Sequence, residues 1–233
     1  MPTSSGPDLA ARWGLDGTAA AALDALLDTV EADPHAPTTV RAREEAVDAH
    51  LADALVALEL AAVREARQIA DMGSGAGFPG LALAAALPAA RFVLVESAGR
   101  KCEFIRRAAV AAGLENVEVV HARAEEWRDG LGACDAVTAR ALAALPVLAE
   151  YAAPLLREGG ALVAWKGRRD PDEEAAGARA AAQVGLEVEE VRRVQPFPAA
   201  RDRHLHVYRK VAPTPARFPR RAGMATKRPL GAR

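Results

Sequence analysis

The chain is poor in cysteine, in long apolar runs and in net charge, and each shortage removes a class of protein. Cys102 and Cys134 are the only two cysteines in 233 residues, and they do not form a Cys-x-x-Cys pair. A disulfide framework or a zinc centre is therefore not expected, no metal site is predicted, and a reducing compartment such as the cytoplasm fits. The longest apolar run, Phe78 to Ala90, is too short to cross a bilayer and contains Pro79, Gly80 and Pro88. No basic segment followed by an apolar stretch marks the start as a signal peptide. These absences predict a soluble cytoplasmic protein without a membrane partner. Lysine is scarce beside arginine, which together with abundant alanine reads as coding bias rather than function.

Apolar residues make up 51% of the chain, enough to bury the core of one sizeable domain. The formal net charge of −1 hides an uneven distribution. Residues 1–65 hold twelve acids against four arginines, and residues 209–233 hold eight basic residues and no acid. An anionic partner would therefore meet the C-terminal side.

Residues 8–33 and 41–66 show helical spacing, with Leu23, Leu26, Leu27 and Val30 on one face and Val47, Leu51, Leu55 and Leu58 on another. The Asp33-Pro34-His35-Ala36-Pro37 stretch separates them. From Gln68 the pattern changes to short apolar runs alternating with amphipathic stretches. Strands are predicted at 68–72, 91–96, 117–121, 135–138, 161–166, 187–194 and 204–211, and helices at 79–87, 99–113, 141–157 and 172–184. Such alternation argues for a doubly wound, parallel α/β sheet. The last two strands lack an intervening helix and suit an antiparallel hairpin at one edge. The expected organisation is a helical N-terminal extension (1–66), a Rossmann-like domain (67–211) and a basic, proline-rich, extended tail (212–233).

The chemistry-bearing stretch is Ile69-Ala-Asp-Met-Gly-Ser-Gly-Ala-Gly-Phe-Pro-Gly80, which follows a strand and opens a helix whose first N–H groups would be free. A dinucleotide site requires a third glycine at position 78, where Phe78 stands, so that register fails. The Asp-x-Gly-x-Gly-x-Gly pattern resembles instead the first motif of Rossmann-like methyltransferases, in which the loop meets the methionine portion of S-adenosylmethionine. That places Gly73, Ser74, Gly75, Gly77 and Phe78 at a cofactor. Glu96, with Ser97 beside it, ends the second strand, where a carboxylate can accept from both ribose hydroxyls. Arg123-Ala124-Glu125 follows the third strand, at the position that borders adenine in such folds. The three elements follow consecutive strands and converge at one sheet edge.

The Gly77-Phe78-Pro79-Gly80 ending resembles the signature of the bacterial 16S ribosomal RNA guanine-N7 methyltransferase family, small-subunit methyltransferase G, also called glucose-inhibited division protein B. Collinear matches include Gly99-Arg100-Lys101, Leu114-Glu115-Asn116-Val117, Ala139-Arg140-Ala141, Trp165-Lys166-Gly167 and Arg203-His204-Leu205. Upstream His50-Leu-Ala-Asp53-Ala54, and downstream Pro213-Thr-Pro215, Phe218-Pro-Arg220-Arg221 and Lys227-Arg-Pro-Leu230, extend the resemblance over residues 38 to 230. It implies a class I methyltransferase fold with a mostly parallel seven-stranded sheet and helices on both faces. It further implies S-adenosylmethionine contacts at Gly73, Phe78, Glu96, Ala124, Glu125 and Arg140, and a target guanine in the helix 18 loop of 16S rRNA. Three positions depart from the family pattern: Ala49 precedes the histidine in place of a basic residue, Thr38-Thr39 replaces Asn-Leu-Thr, and Glu96 replaces a more frequent aspartate.

Guanine N7 already presents an in-plane lone pair, so its methylation needs alignment rather than a general base. The Asn/Asp-Pro-Pro-Tyr motif of exocyclic amine methylation is missing after the fourth strand, which reads Asp135-Ala-Val-Thr-Ala-Arg140. Neither cysteine is placed for nucleophilic attack, and both read as small buried hydrophobes. Lys166, Arg140 and Arg123 are the candidate catalytic residues, because arginine and lysine donate to guanine O6 and to phosphate. Arg123, Lys166, Arg201, Arg203, His204, Arg220 and Arg221 are the candidate RNA contacts. The expected partner is 16S rRNA or the small ribosomal subunit, and nothing demands more than a monomer. His50 receives no catalytic role.

Overall fold

The computed structural model describes residues 6–231; residues 1–5 and 232–233, the ends of the predicted extension and tail, lie outside it. Seven strands form one sheet: β1 (Gln68–Met72), β2 (Arg91–Glu96), β3 (Val117–His121), β4 (Cys134–Arg140), β5 (Leu156–Lys166), β6 (Leu186–Arg193) and β7 (His204–Lys210). Their order is β3-β2-β1-β4-β5-β7-β6, with β7 antiparallel to both of its neighbours and every other pairing parallel. The predicted edge hairpin is present, with β7 as its inner strand. The strand order reverses between β1 and β4, and at such a point the loops leaving the strands diverge and open a crevice.

Alternation along the strands sorts side chains to two faces. Ile69, Phe92, Leu94, Ala136, Val163 and Leu205 pack on one face with helices α1 (Gly6–Trp13), α2 (Gly17–Ala32), α3 (Gly80–Ala86) and α4 (Gly99–Ala111). Ala70, Met72, Val93, Val137, Leu162 and Tyr208 pack on the other with α5 (Leu145–Ala152) and α6 (Pro171–Gln183). The predicted stripe of Leu23, Leu26, Leu27 and Val30 is buried against the first face. Each leucine there contributes about 2 kcal/mol through burial.

Several predicted elements differ in detail. The helix expected over 8–33 is two helices. Gly14 adopts φ +64°, Leu15 N–H donates back to Ala10 O (2.8 Å), and Asp16 caps α2 by accepting from Ala19 N–H (2.8 Å). The helix expected over 41–66 is a succession of α, π and 3-10 turns, with the π turn at Val47–Ala52. β5 starts earlier than predicted, because Cys134 pairs with Leu156 ahead of a register irregularity. A side chain at Gly160 would lie within about 3.0 Å of three carbonyl oxygens on that side of the sheet.

The tail is not a free extended arm. Phe218 is buried in the second face, Thr214 Oγ1 donates to Ala153 O (3.0 Å), and Arg179 Nε of α6 donates to Gly231 O (3.0 Å). A short helix, α7 (Met224–Lys227), lies within it. Its prolines limit regular structure to that one turn but do not prevent docking.

Candidate active site

The crevice lies at the C-terminal ends of β1, β2 and β4. Gly73 and Ser74 turn the chain out of β1, their N–H groups donating to Val95 O at 2.8 and 3.4 Å. Gly73 has φ +65°, and an added Cβ would lie 2.5 Å from Leu142 Cδ1, so only glycine suits this turn. Gly75, at φ +60°, faces open space except for Gly73 O at 3.8 Å, which leaves its backbone approachable. The helix that follows does not offer the free N–H groups expected of it. Gly80 N–H is taken by Asp71 Oδ2 (3.3 Å) and Leu81 N–H by Gly77 O (2.7 Å). The N–H groups of Gly73, Ser74, Gly75 and Gly77 are likewise paired, with Val95 O, Glu96 Oε2 and Ser74 O, so what the loop offers a ligand is close approach to its backbone.

Asp71 ties this loop to the sheet. Fully buried, it accepts from Thr138 Oγ1 at 2.7 Å as well as from Gly80. Burial pushes its carboxyl up to about 6 against these hydrogen bonds.

Glu96 stands at the tip of β2. Its Oε2 accepts from Gly75 N–H (3.0 Å), and its Oε1 accepts from Ala98 N–H (2.9 Å) and lies 3.4 Å from Ser97 Oγ. A carboxylate has about four acceptor sites and three are engaged, so capacity remains on Oε2 for one further donor such as a ribose hydroxyl. Beside it is a cavity of about 100 Å³ lined by Gly73, Val95, Ser97, Ala122, Arg123, Ala124, Glu125, Leu142 and Tyr151. Apolar walls from Val95, Ala122, Ala124 and Leu142, with polar groups at the rim, suit a purine base. Glycine backbone for a methionine portion, a carboxylate for ribose and an apolar slot for adenine together fit S-adenosylmethionine.

Phe78 points elsewhere. It is buried and stacks on His50, with ring centroids 4.7 Å apart and planes inclined by 6°. His50 comes from the π turn, and its Nε2 lies 2.9 Å from Val40 O and 3.1 Å from Thr38 Oγ1. Burial lowers the tendency of His50 to take a proton. The N-terminal extension thus clamps the glycine-rich loop.

Arg140, at the end of β4, is turned toward the same extension and donates to Ala49 O (2.8 Å) and Asp53 Oδ2 (2.9 Å). Arg203 Nε lies 3.4 Å from Asp53 Oδ1, and Trp165 Nε1 donates to Asp53 O (2.7 Å). Lys166 is a cross-strand neighbour of His204, and its Nζ pairs with Glu173 Oε1 at 2.6 Å. The first turn of α6, capped by Asp170 and opened by Pro171, presents Glu173 at this position. Arg140, Lys166, Arg203 and His204 therefore line the β4-β5-β7 side, opposite the cofactor cavity that Arg123 borders.

Arg201 is exposed in the loop between β6 and β7, and Arg221 is exposed in the tail. Arg220, expected to meet RNA, is instead engaged by the buried Glu150, with Nε 2.6 Å from Oε1. Glu125 accepts from Gly223 N–H at 2.9 Å. Both cysteines are buried, and burial pushes the Cys134 thiol up to about 12, far from a thiolate nucleophile. Asp53, Asp71, Leu142, Tyr151 and Glu173 carry structural roles at the site that the residue pattern did not assign. Of these, Asp71 had a visible signal, since it opens the glycine-rich motif, and Asp53 stood in the His50-Leu-Ala-Asp53-Ala54 match.

This sheet order with a glycine-rich turn after β1 and an acid at the tip of β2 defines a class I methyltransferase. The crystal structure of an Agrobacterium tumefaciens protein described as a predicted O-methyltransferase superposes with a TM-score of 0.55 at 26% identity, covering 69% of this chain and 81% of that one. A family profile described as rRNA small subunit methyltransferase G matches residues 32–205. Ribosomal RNA small subunit methyltransferase G of Rubrobacter xylanophilus is 44% identical over 78% of this chain and 72% of its own. The Chloroflexus aggregans protein of the same name is 43% identical over 83% and 82%. The chain belongs to the rRNA small subunit methyltransferase G family.

Proposed function

We propose that this protein transfers a methyl group from S-adenosylmethionine to N7 of a guanine in 16S rRNA, in the helix 18 loop, acting as a monomer in the cytoplasm. The observation that carries the reading is a cavity at the strand-order reversal lined by Gly73, Ser97, Ala124 and Glu125, with Glu96 beside it bonded to Gly75 of the same loop, in a chain of this family.

S-adenosylmethionine supplies an electrophilic methyl group. The backbone of Gly73, Ser74, Gly75 and Gly77 holds its methionine end, Glu96 and Ser97 its ribose, and Ala124 and Glu125 its base. Phe78 acts through the loop, which its stack on His50 keeps in place. The nucleophile is the N7 lone pair, so the protein's task is to bring the base edge into line. Lys166 and Arg123 donate to guanine O6 or to flanking phosphates, and Arg201, Arg203, His204 and Arg221 extend the contact along the RNA backbone.

Methylated guanine carries positive charge, which a rim of unpaired cations would oppose. Here Arg140 is balanced by Asp53 and Lys166 by Glu173, so the rim holds its donors without a large excess charge.

The reading is tested by incubating the purified protein and labelled S-adenosylmethionine with 16S rRNA, free or in small subunits, from a strain lacking the gene. Nucleoside mass spectrometry should find one 7-methylguanosine per 16S rRNA. Label in another nucleoside, in 23S rRNA, or in protein would overturn it.

A further inference from the structure

We propose that residues 218–231 form a strap that sets the adenine end of the cofactor site, with Arg220 its anchor and a positioning residue for S-adenosylmethionine rather than an RNA contact. The inference rests on the reading that the cavity beside Glu96 receives that cofactor.

Two of the cavity's lining residues are held by this one segment. Glu125 Oε1 accepts from Gly223 N–H at 2.9 Å, and Tyr151 OH lies 3.3 Å from Thr226 Oγ1. Gly223 sits at φ +78°, a left-handed turn that aims its N–H at the carboxylate. The segment is fixed just ahead of that turn. Arg220 meets Glu150 of α5 through both nitrogens of a fork, and its Nη2 also donates to Arg228 O (2.9 Å), closing the strap on itself. Glu150 is 2% exposed, so loss of Arg220 leaves a buried carboxylate without its ionic partner. Phe218 is buried on one side of the turn, and Gly231 is tied to α6 on the other.

Glu150 and Tyr151 are adjacent on α5, so loss of the anchor moves both the helix that carries Tyr151 and the turn that holds Glu125. The strap's outward residues Arg221, Lys227 and Arg228 are exposed and remain available to a polyanion.

The test is calorimetric titration of the full-length protein with S-adenosylmethionine, with 16S rRNA binding measured in parallel at fixed salt. Arg220→Ala should weaken cofactor binding about tenfold and leave RNA affinity within twofold, with partial rescue by Arg220→Lys. The effect should be non-additive: in a Glu125→Ala background, Arg220→Ala should cost clearly less than tenfold, the remainder acting through Tyr151. Cofactor affinity within twofold of the parent, or selective loss of RNA affinity, would overturn the proposal. Should Arg220→Ala fail to fold, the Glu150→Gln/Arg220→Met pair removes both buried charges together. That pair must still weaken cofactor binding if the strap acts as described. If Glu125→Ala alone binds cofactor normally, the cofactor-site reading itself fails, which is a different outcome from failure of the strap.

Discussion

Lys166 Nζ lies 2.6 Å from Glu173 Oε1, and that oxygen also accepts the N–H of Leu145, the first residue of α5. One carboxylate therefore holds the candidate catalytic amine and the end of the loop that covers the cavity. Lys166→Ala is expected to lower methyl transfer at least tenfold while S-adenosylmethionine affinity stays within twofold, because Glu173 can still cap α5. Single-turnover rates beside calorimetry separate the two. Normal transfer with lost cofactor binding would move Lys166 to the cofactor.

Glu96 makes two charge-assisted hydrogen bonds to backbone before any ligand is considered. Glu96→Ala removes these and the acceptors proposed for ribose. Bonds of this kind are worth about 1.5–3 kcal/mol each, so cofactor affinity should fall roughly tenfold to a hundredfold. Glu96→Asp keeps the charge with a shorter reach and should lose less. Unchanged calorimetric affinity in the alanine variant would remove Glu96 from the site.

Gly73 tests the turn. Gly73→Ala meets two obstacles, a left-handed φ and the Leu142 side chain. The first costs about 1–2 kcal/mol for a non-glycine residue. The variant should bind cofactor poorly, and adding Leu142→Ala should recover only part of the loss, since it makes room without relieving φ. Full recovery would show that crowding alone mattered.

Asp71 gives the stability a pH dependence. Its folded value near 6 lies above the unbonded 3.8, so the folded state keeps the proton longer. Stability therefore falls as pH rises from about 4 to 6 and is flat above, the reverse of a salt-bridged carboxylate. The gap corresponds to about 3 kcal/mol. The stability difference between the parent protein and Asp71→Asn, from urea titrations at pH 4 and 7, should shrink by that order. Parallel curves would contradict the assignment.

The strands were legible because parallel strands covered on both faces, such as β1 and β2, read as short continuous apolar runs; β1, β2 and β3 match their predicted limits. The glycine-rich loop was legible because few residues other than glycine tolerate its backbone. Helical spacing in 41–66 could not separate α from π turns, which place apolar residues almost alike. What the pattern could not supply was pairing. Asp53 and Arg140 are 87 positions apart, Glu150 and Arg220 are 70 apart, and Glu125 and Gly223 are 98 apart. Charge composition therefore marked the tail as basic and RNA-facing, while the fold uses Arg220 internally.

The most direct test of the central claim uses the cell's own rRNA. 16S rRNA from a gene-deletion strain is cleaved chemically at N7-methylguanosine and compared with rRNA from the parent strain and from a strain complemented with this chain. The account predicts loss of one cleavage site, in the helix 18 loop, restored by the intact gene and not by the Glu96→Ala form. An unchanged cleavage pattern in the deletion strain would contradict it.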